Sequence, residues 1–249
     1  MMNKKLAIPA IITFLILTIF IGIACDDAGT TTSTVVPAVY QKIYGATQLY
    51  IEGDYVVIKT NGRPEHKSPY YLGTQWENTL YEADPDTSFH MNPNRIAEFS
   101  MTYKIPLNPT VASTHQTTPM GPMGVVINGV AFFNQYAAGG TPLTNEIASF
   151  DQYGGHPQQQ GQYHYHLEPD YITTTRGDST LMGFLLDGFP VYGPRENGAV
   201  VTNANLDLYH GHTGVKEDYP NGIYHYHITS ESPYINGDGF YGTPGTVTY

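Results

Sequence analysis

Two copies of one histidine-rich pattern constrain this chain more than any other feature of its 249 residues. The tetrapeptide Tyr-His-Tyr-His occurs at 163–166 and again at 224–227. Each copy is preceded by the pattern Asp-x-Tyr-x-Gly-His, at 151–156 and at 207–212. The two parts stand in the same order, and only the length of the segment between them differs. We interpret the pair as an internal duplication that gives two similar halves.

The alternation within the tetrapeptide predicts where its side chains point. Successive side chains of an extended strand point to opposite faces, so the two histidines of a copy share one face and the tyrosines share the other. Two imidazoles about 6 to 7 Å apart on one strand can share a metal ion. A third histidine from the preceding loop completes a three-nitrogen site with room for water or substrate. The predicted ligand sets are His156, His164 and His166 in the first copy and His212, His225 and His227 in the second.

The ligand type limits the metal and suggests its supporting residues. Neutral imidazoles without thiolates favour zinc or copper and argue against calcium and magnesium. Asp151 and Asp207 open the two upstream patterns, and we expect them to accept hydrogen bonds from ring N–H groups. Asp187 is predicted in the same supporting role. If the two tetrapeptide strands are neighbours, the four strand histidines form one composite site instead of two.

The same histidines also have a purely structural interpretation. A histidine in an ordinary strand can bury its ring while hydrogen-bonding a carboxylate or a backbone carbonyl. We favour metal binding because both copies carry the additional Gly-His and Asp. Three other histidines lie in polar, loop-like sequence and are predicted on the surface, whereas His210 fits either interpretation. The three predicted surface histidines are His66, His90 and His115.

The start of the chain has the features of an export signal. Residues 1–24 combine a short basic start with an apolar run, which predicts a signal peptide. Cys25, the only cysteine, follows Gly22-Ile23-Ala24 in a pattern similar to a bacterial lipobox. We therefore predict that Cys25 is acylated and anchors the chain in a membrane of the cell envelope. An uncleaved anchor and a plain cleaved signal are the alternatives, and each places the mature chain outside the cytoplasm.

Residues 25–35 form a polar tether, and residues 36–249 are predicted to be one domain. A net charge of −11 without a basic run argues against a nucleic-acid partner. Turn dipeptides between β-branched and aromatic residues predict a mainly antiparallel β fold, a sandwich or a distorted barrel with long loops. Strands are predicted at 49–59 and 99–105 and one helix at 142–150. Hairpin turns are predicted at Asn128-Gly129, Asp187-Gly188 and Asn221-Gly222.

Several of these motifs together resemble the signature of the YHYH domain family. They are Gly155-His156-Pro157, the two tetrapeptides, the segment 187–194 and Gly211-His212, and the resemblance covers residues 99–242. It implies an exported, β-rich domain. The resemblance brings no reaction with it, so the chemistry must be argued from the residues.

Three functions follow from these expectations. The first is an envelope protein that binds copper or zinc, for metal handling or for a metal-stabilised binding role. The second is a metal-dependent hydrolase or oxidase acting on a small-molecule ligand at an open three-histidine site, with Asp187, Arg195 and Glu168 as the nearest candidates for acid–base or binding roles. The third is an adhesion or glycan-binding module with structural histidines.

Overall fold

The computed structural model describes residues 35–249. The predicted signal peptide, Cys25 and most of the tether lie outside the described residues, so their assignments stay predictions. The described part is mainly β, as expected, and its sheets do not close into a barrel. No helix of residues 35–249 is long and apolar enough to span a membrane.

Sixteen strands and two short α-helices are present in residues 35–249, together with six single-turn 3-10 helices. The strands are β1 (Ala46–Glu52), β2 (Tyr55–Thr60), β3 (Met101–Pro106), β4 (Gly124–Val126), β5 (Ala131–Phe132), β6 (Tyr136–Ala137), β7 (Thr141–Pro142), β8 (Gly155–Pro157), β9 (Tyr163–Tyr165), β10 (Leu181–Leu185), β11 (Pro190–Tyr192), β12 (Arg195–Glu196), β13 (Ala199–Val200), β14 (Gly211–Lys216), β15 (Tyr219–His227) and β16 (Thr246–Thr248). The α-helices are α1 (Glu77–Leu80) and α2 (Asp170–Arg176).

An eight-stranded sheet carries both histidine patterns, in the order β14-β15-β11-β10-β4-β5-β9-β8. Its two halves correspond strand for strand. The hairpins β4–β5 and β10–β11 lie in the middle, the tetrapeptide strands β9 and β15 pair in parallel with β5 and β11, and β8 and β14 form the edges. The halves meet where Gly183 pairs with Val126 and Leu185 with Gly124, which is a two-fold arrangement.

A second sheet of four antiparallel strands, in the order β1-β2-β3-β16, shares its core with the first. Along β3 the buried residues alternate as the sequence predicts, with Met101, Tyr103 and Ile105 inside. These side chains belong to the same apolar cluster as Phe132 and Phe184 of the larger sheet. The arrangement is sandwich-like, because two sheets bury one face each against the other.

Two central hairpin turns form as predicted. Gly129 and Gly188 both have φ +87°, which the second central position of such a turn requires. The turn predicted at Asn221-Gly222 was wrong, because β14 and β15 are joined at Glu217–Asp218, and Asn221-Gly222 lies in an irregular part of β15. Gly222 still has a positive φ, in a bulge instead of a turn.

The predicted helix at 142–150 was also wrong, because the segment forms two 3-10 turns at Leu143–Asn145 and Ile147–Ser149. Pro142 lies in the short strand β7 instead of at a helix start. The single strand predicted at 49–59 is a hairpin, in which β1 and β2 turn at Gly53.

Candidate metal centres

Each predicted histidine triad converges on one point. His156 of β8 lies directly across from His164 of β9, and His166 follows one residue after β9. The ligand nitrogens of these three residues all lie within 4.8 Å of one another. His156 was expected in a loop. It lies on the edge strand instead, because the upstream Gly-His itself pairs with the tetrapeptide strand.

The second triad has the same construction. His212 of β14 lies across from His225 of β15, and His227 is the last residue of β15. The three nitrogens and one carboxylate oxygen of Glu196 all lie within 4.8 Å of one another. His212, like His156, is therefore a strand residue and not the loop residue that we expected. The second tetrapeptide lies wholly in a strand, as predicted, whereas in the first the strand ends at Tyr165 and His166 directly follows it. The histidines of each copy still converge on one side.

Hydrogen bonds fix which ring nitrogen is free in the first triad. The Nδ1 atoms of His164 and His166 contact the backbone carbonyls of Gln162 and Asn134, which can only accept, so both Nδ1 atoms carry the proton. Ser149 Oγ donates its one proton to the Glu146 carbonyl at 2.7 Å. That hydroxyl therefore accepts from His156 Nδ1, at 2.8 Å. All three Nε2 atoms are left as lone-pair donors facing the same point.

This protonation pattern leaves two lone pairs in contact. His164 Nε2 and His166 Nε2 are 3.0 Å apart, and neither ring has a proton there to donate. Two facing lone pairs at hydrogen-bond distance repel unless a cation lies between them. Two nitrogens bound tetrahedrally to zinc would be about 3.3 Å apart, from Zn–N bonds of about 2.0 Å. The 3.0 Å spacing is close to this value, so the two nitrogens could bind one ion.

The second triad repeats this pattern. His225 Nδ1 donates to the Ile223 carbonyl at 3.0 Å, and His227 Nδ1 donates to the Gly193 carbonyl at 2.8 Å. The Nε2 atoms of both residues are buried without a hydrogen-bond partner among residues 35–249. A buried acceptor without a partner costs about 1 to 3 kcal/mol. A metal ion would satisfy both atoms at once.

Glu196 distinguishes the second cluster from the first. Its Oε2 lies 3.1 Å from His212 Nε2, and its Oε1 lies 3.4 Å from His225 Nε2. Lys216 forms an ion pair with Oε1, and its ammonium group also lies 4.5 Å from the centre of the Tyr192 ring. Burial alone would raise the pKa of Glu196, but the hydrogen bond and charge of Lys216 lower it. The carboxylate is thus held ionised beside the neutral imidazoles of His225 and His227.

Burial keeps five of the clustered imidazoles neutral near neutral pH. It lowers the pKa of His166 and His225 to about 4, and that of His156 and His227 to about 3. Burial also holds the pKa of His164 well below its ordinary value, and the charges of the other two histidines act in the same direction. Metal ligation requires the unprotonated ring, so the first triad can bind a cation near neutral pH without first releasing protons.

The first triad opens onto a cavity. A space of about 670 Å³ is lined by all three histidines, by the carboxylate-bearing Glu146 and by several carboxamides. Glu146 Oε2 lies 3.8 Å from His156 Nε2, but Glu146 is not part of the group whose ligand atoms are mutually within 4.8 Å. Its carboxylate therefore lies beside the triad without belonging to the group of atoms that could hold an ion.

The predicted supporting role of the aspartates was wrong. Asp151 and Asp207 each accept a hydrogen bond from the first tyrosine of a tetrapeptide, Tyr163 and Tyr224, at 2.8 Å in both copies. These tyrosines occupy the face opposite the histidines. The imidazole N–H groups donate to backbone carbonyls and to Ser149 instead. The aspartates therefore hold the tetrapeptide strands through the tyrosines on the opposite face, and they do not orient the imidazole rings directly.

Asp187 belongs to the same tyrosine side. Its Oδ2 accepts from the Tyr226 hydroxyl at 2.6 Å and from the Gly242 amide at 2.9 Å. Burial raises the pKa of Asp187 to about 6 and that of Asp151 to about 7. Asp187 is therefore not placed as a base beside either triad.

The other residues predicted for acid–base or binding roles also lie away from the triads, as do the buried histidines His66 and His210. Arg195 pairs with Asp178 at 2.8 Å on the surface. The backbone carbonyl of Glu168 packs against Gly154 near α2. His66 was predicted on the surface but is buried, and its Nε2 meets the Tyr165 hydroxyl at 2.8 Å. His210 is buried too, with Nε2 3.0 Å from Asn203 Oδ1.

The two triads are separate sites. β9 and β15 are separated by β5, β4, β10 and β11. Five strand spacings of about 4.8 Å place them about 24 Å apart. The single composite site that neighbouring tetrapeptides would have formed is therefore excluded.

Three contributors to the sites were missed from the sequence: Glu196, Glu146 and Ser149. Glu196 reaches the second triad through the short hairpin β12–β13, in which Asn197 and Gly198 both have positive φ. The Asn-Gly dipeptide directly after Glu196 was an available turn signal. Glu146 and Ser149 come from the 3-10 turns where one continuous helix was predicted.

The chain was compared with known families, proteins and structures. The family described as YHYH protein matches residues 102–200 and 195–238. No curated protein and no solved structure gives a significant match. The matched region contains both triads and Glu196.

Proposed function

The chain belongs to the family of YHYH proteins, which matches more than half of its length, and we propose that it binds one transition-metal ion at each histidine triad. The proposal rests on the 3.0 Å contact between His164 Nε2 and His166 Nε2, two atoms that both lack a proton. A structural histidine network would place a donor opposite an acceptor. Two acceptors facing one another call for a cation.

The second cluster supports the same function independently. Three imidazole nitrogens and a carboxylate oxygen converge there, and all three nitrogens are buried without a hydrogen-bond partner among residues 35–249. Identical strand registers and equivalent carbonyl acceptors in the two halves make a chance gathering of histidines a poor explanation. We attribute the likeness to duplication of one metal-binding unit.

Zinc and copper are the metals that this ligand set favours. Imidazole nitrogens suit both, whereas the scarcity of oxygen ligands disfavours calcium and magnesium. We propose that the protein acts outside the cytoplasm, anchored through Cys25, where it holds or handles the metal. The export part of the proposal rests on the sequence of residues 1–25.

Metal analysis of purified domain variants tests the proposal. The domain 36–249, stripped with a chelator and reconstituted with zinc or copper, should retain two equivalents per chain after gel filtration. His164→Gln with His166→Gln should retain one, and so should His225→Gln with His227→Gln. The matched control is His115→Gln, which changes a histidine outside both clusters whose Nδ1 contacts the Phe240 carbonyl. Wild-type protein without bound metal, or a pair variant with full metal content, would show that the histidines are structural.

One observation favours a second candidate, a metal-dependent hydrolase. Glu146 lies at the cavity beside the first triad, where a carboxylate can take a proton from a metal-bound water. Zinc-dependent hydrolysis of ester substrates that Glu146→Gln abolishes, without loss of metal, would favour this candidate over metal holding.

A further inference from the structure

We propose that the two metal centres differ in kind: the first has an open coordination position that takes an exogenous ligand, and the second is closed. This inference rests on the proposed function and deepens it. It follows from two differences between otherwise corresponding clusters. One cluster has a fourth protein ligand, and the other has a cavity.

The second cluster supplies four ligands from the protein. Three Nε2 atoms and a Glu196 oxygen lie within 4.8 Å of one another, which fills the four positions of a tetrahedral ion. Glu196 is held in place, because Lys216 is ion-paired to its Oε1 and the Lys216 side chain is itself only 9% exposed. The same Oε1 lies 3.4 Å from His225 Nε2, and Oε2 lies 3.1 Å from His212 Nε2. Such a set is characteristic of a metal that stabilises structure.

The first cluster supplies three ligands. Its fourth position faces the cavity of about 670 Å³, because all three histidines line that space. Aromatic rings pack against the imidazoles: Phe133 stacks on His164 with ring centres 3.9 Å apart, and Phe150 stacks on His166 at 5.5 Å. The cavity is the route by which an exogenous ligand would reach an ion held by this triad.

The cavity lining indicates the class of ligand. Carboxamides dominate the polar part of the wall, including Asn92, Gln159 and Gln160, and Glu146 brings an acidic side chain. No lysine or arginine of residues 35–249 lines it, so the wall offers a phosphate or a carboxylate no permanently cationic side chain. The site fits water, and in its place a small uncharged ligand with a nitrogen or oxygen donor.

Cobalt(II) is a suitable probe because its visible absorption reports coordination number and ligand exchange. Two variants isolate the centres: H225Q/H227Q retains only the first, and H164Q/H166Q retains only the second. Each cobalt-loaded domain is titrated with imidazole as the neutral donor. The spectrum of the first centre should change and saturate with one imidazole bound, and the spectrum of the second should stay unchanged to at least tenfold higher concentration.

Two further variants make the result decisive. Glu196→Gln, in the background that retains only the second centre, should open a position there and make its spectrum respond to imidazole. Glu146→Gln in the first centre should leave the response in place, because Glu146 is not a ligand. Equal responses of the two centres, or none from the first, would overturn the inference. If neither centre bound cobalt, no visible band would form, and it would be the proposed metal function that had failed.

Discussion

Replacement of His66 by glutamine tests how strongly a buried histidine makes the stability of this fold depend on pH. The His66 side chain lies on the tyrosine side of β9, with a residue exposure of 2%. Its Nδ1 donates to the Lys67 carbonyl at 3.0 Å, so its Nε2 accepts from the Tyr165 hydroxyl at 2.8 Å. Burial lowers the pKa of His66 to about 4. The ring is therefore neutral in the folded chain.

The sign of the effect follows from the two pKa values. In the unfolded chain the histidine has a pKa of about 6.5, so between that pH and 4 the unfolded state binds a proton that the folded state does not. The contribution of His66 to the free energy of unfolding is fully present above pH 6.5. It decreases as the pH falls from 6.5 towards 4. At 1.36 kcal/mol for each pH unit, the loss from pH 6.5 to pH 5 is about 2 kcal/mol.

Urea unfolding of the metal-free domain at pH 7, 6 and 5 measures this loss. Glutamine at position 66 can accept from the Tyr165 hydroxyl but does not titrate. The free energy of unfolding of the wild type, minus that of His66→Gln, should therefore fall by about 2 kcal/mol between pH 7 and pH 5. The other buried histidines are present in both proteins and cancel in the difference.

Tyr165→Phe is the matched control. It removes the hydroxyl that His66 accepts from and should destabilise the fold by about 1 to 3 kcal/mol at every pH. It should keep the pH dependence of the wild type, because burial, not that contact, is the main cause of the lowered pKa. A wild-type to His66→Gln difference that does not vary with pH would refute the reasoning.

Two more predictions follow. Gly124→Ala and Gly183→Ala should each destabilise the domain by about 3 kcal/mol or more in urea unfolding, because the added Cβ would lie 2.4 Å from the Phe184 carbonyl oxygen or 2.1 Å from that of Val125. Gly121→Ala, where a Cβ meets nothing within 4 Å, should be near neutral, and an equal loss there would contradict the steric argument. Cys25→Ser should release the protein into the soluble envelope fraction, and retention in washed membranes would indicate an uncleaved helix instead.

The triads were predictable because their signal is local and repeated. Alternation fixes which side chains share a face, and this is a property of any extended strand. The third histidine of each set was found because the same Gly-His precedes both tetrapeptides. Its position on a strand was not foreseen, since β8 and β9 have only three residues each and too few positions to show an alternating pattern.

A local sequence pattern could not predict the proposed fourth ligand, Glu196, or the tyrosines that are the hydrogen-bond partners of the aspartates. Glu196 lies 16 positions before His212 and reaches it only through the packing of a separate hairpin. Asp151 was assigned to the imidazoles, although a buried tyrosine hydroxyl also needs an acceptor. Tyr163 and Asp151 lie on the core side of the sheet, and the sequence does not show which face of β9 turns to the core.

The position of the triads at the two ends of the large sheet has a consequence for the solubility of the protein. β8 and β14 are its edge strands, and such edges are where sheets fray and pair with other chains. His156 and His212 lie on these strands, whereas the other two histidines of each triad belong to the neighbouring strand or its end. An ion held by either triad would link an edge strand to its neighbour, β8 to β9 or β14 to β15. If the proposed ions are bound, their removal would loosen β8 and β14 first, and aggregation would begin at these two edges while the central hairpins are still folded.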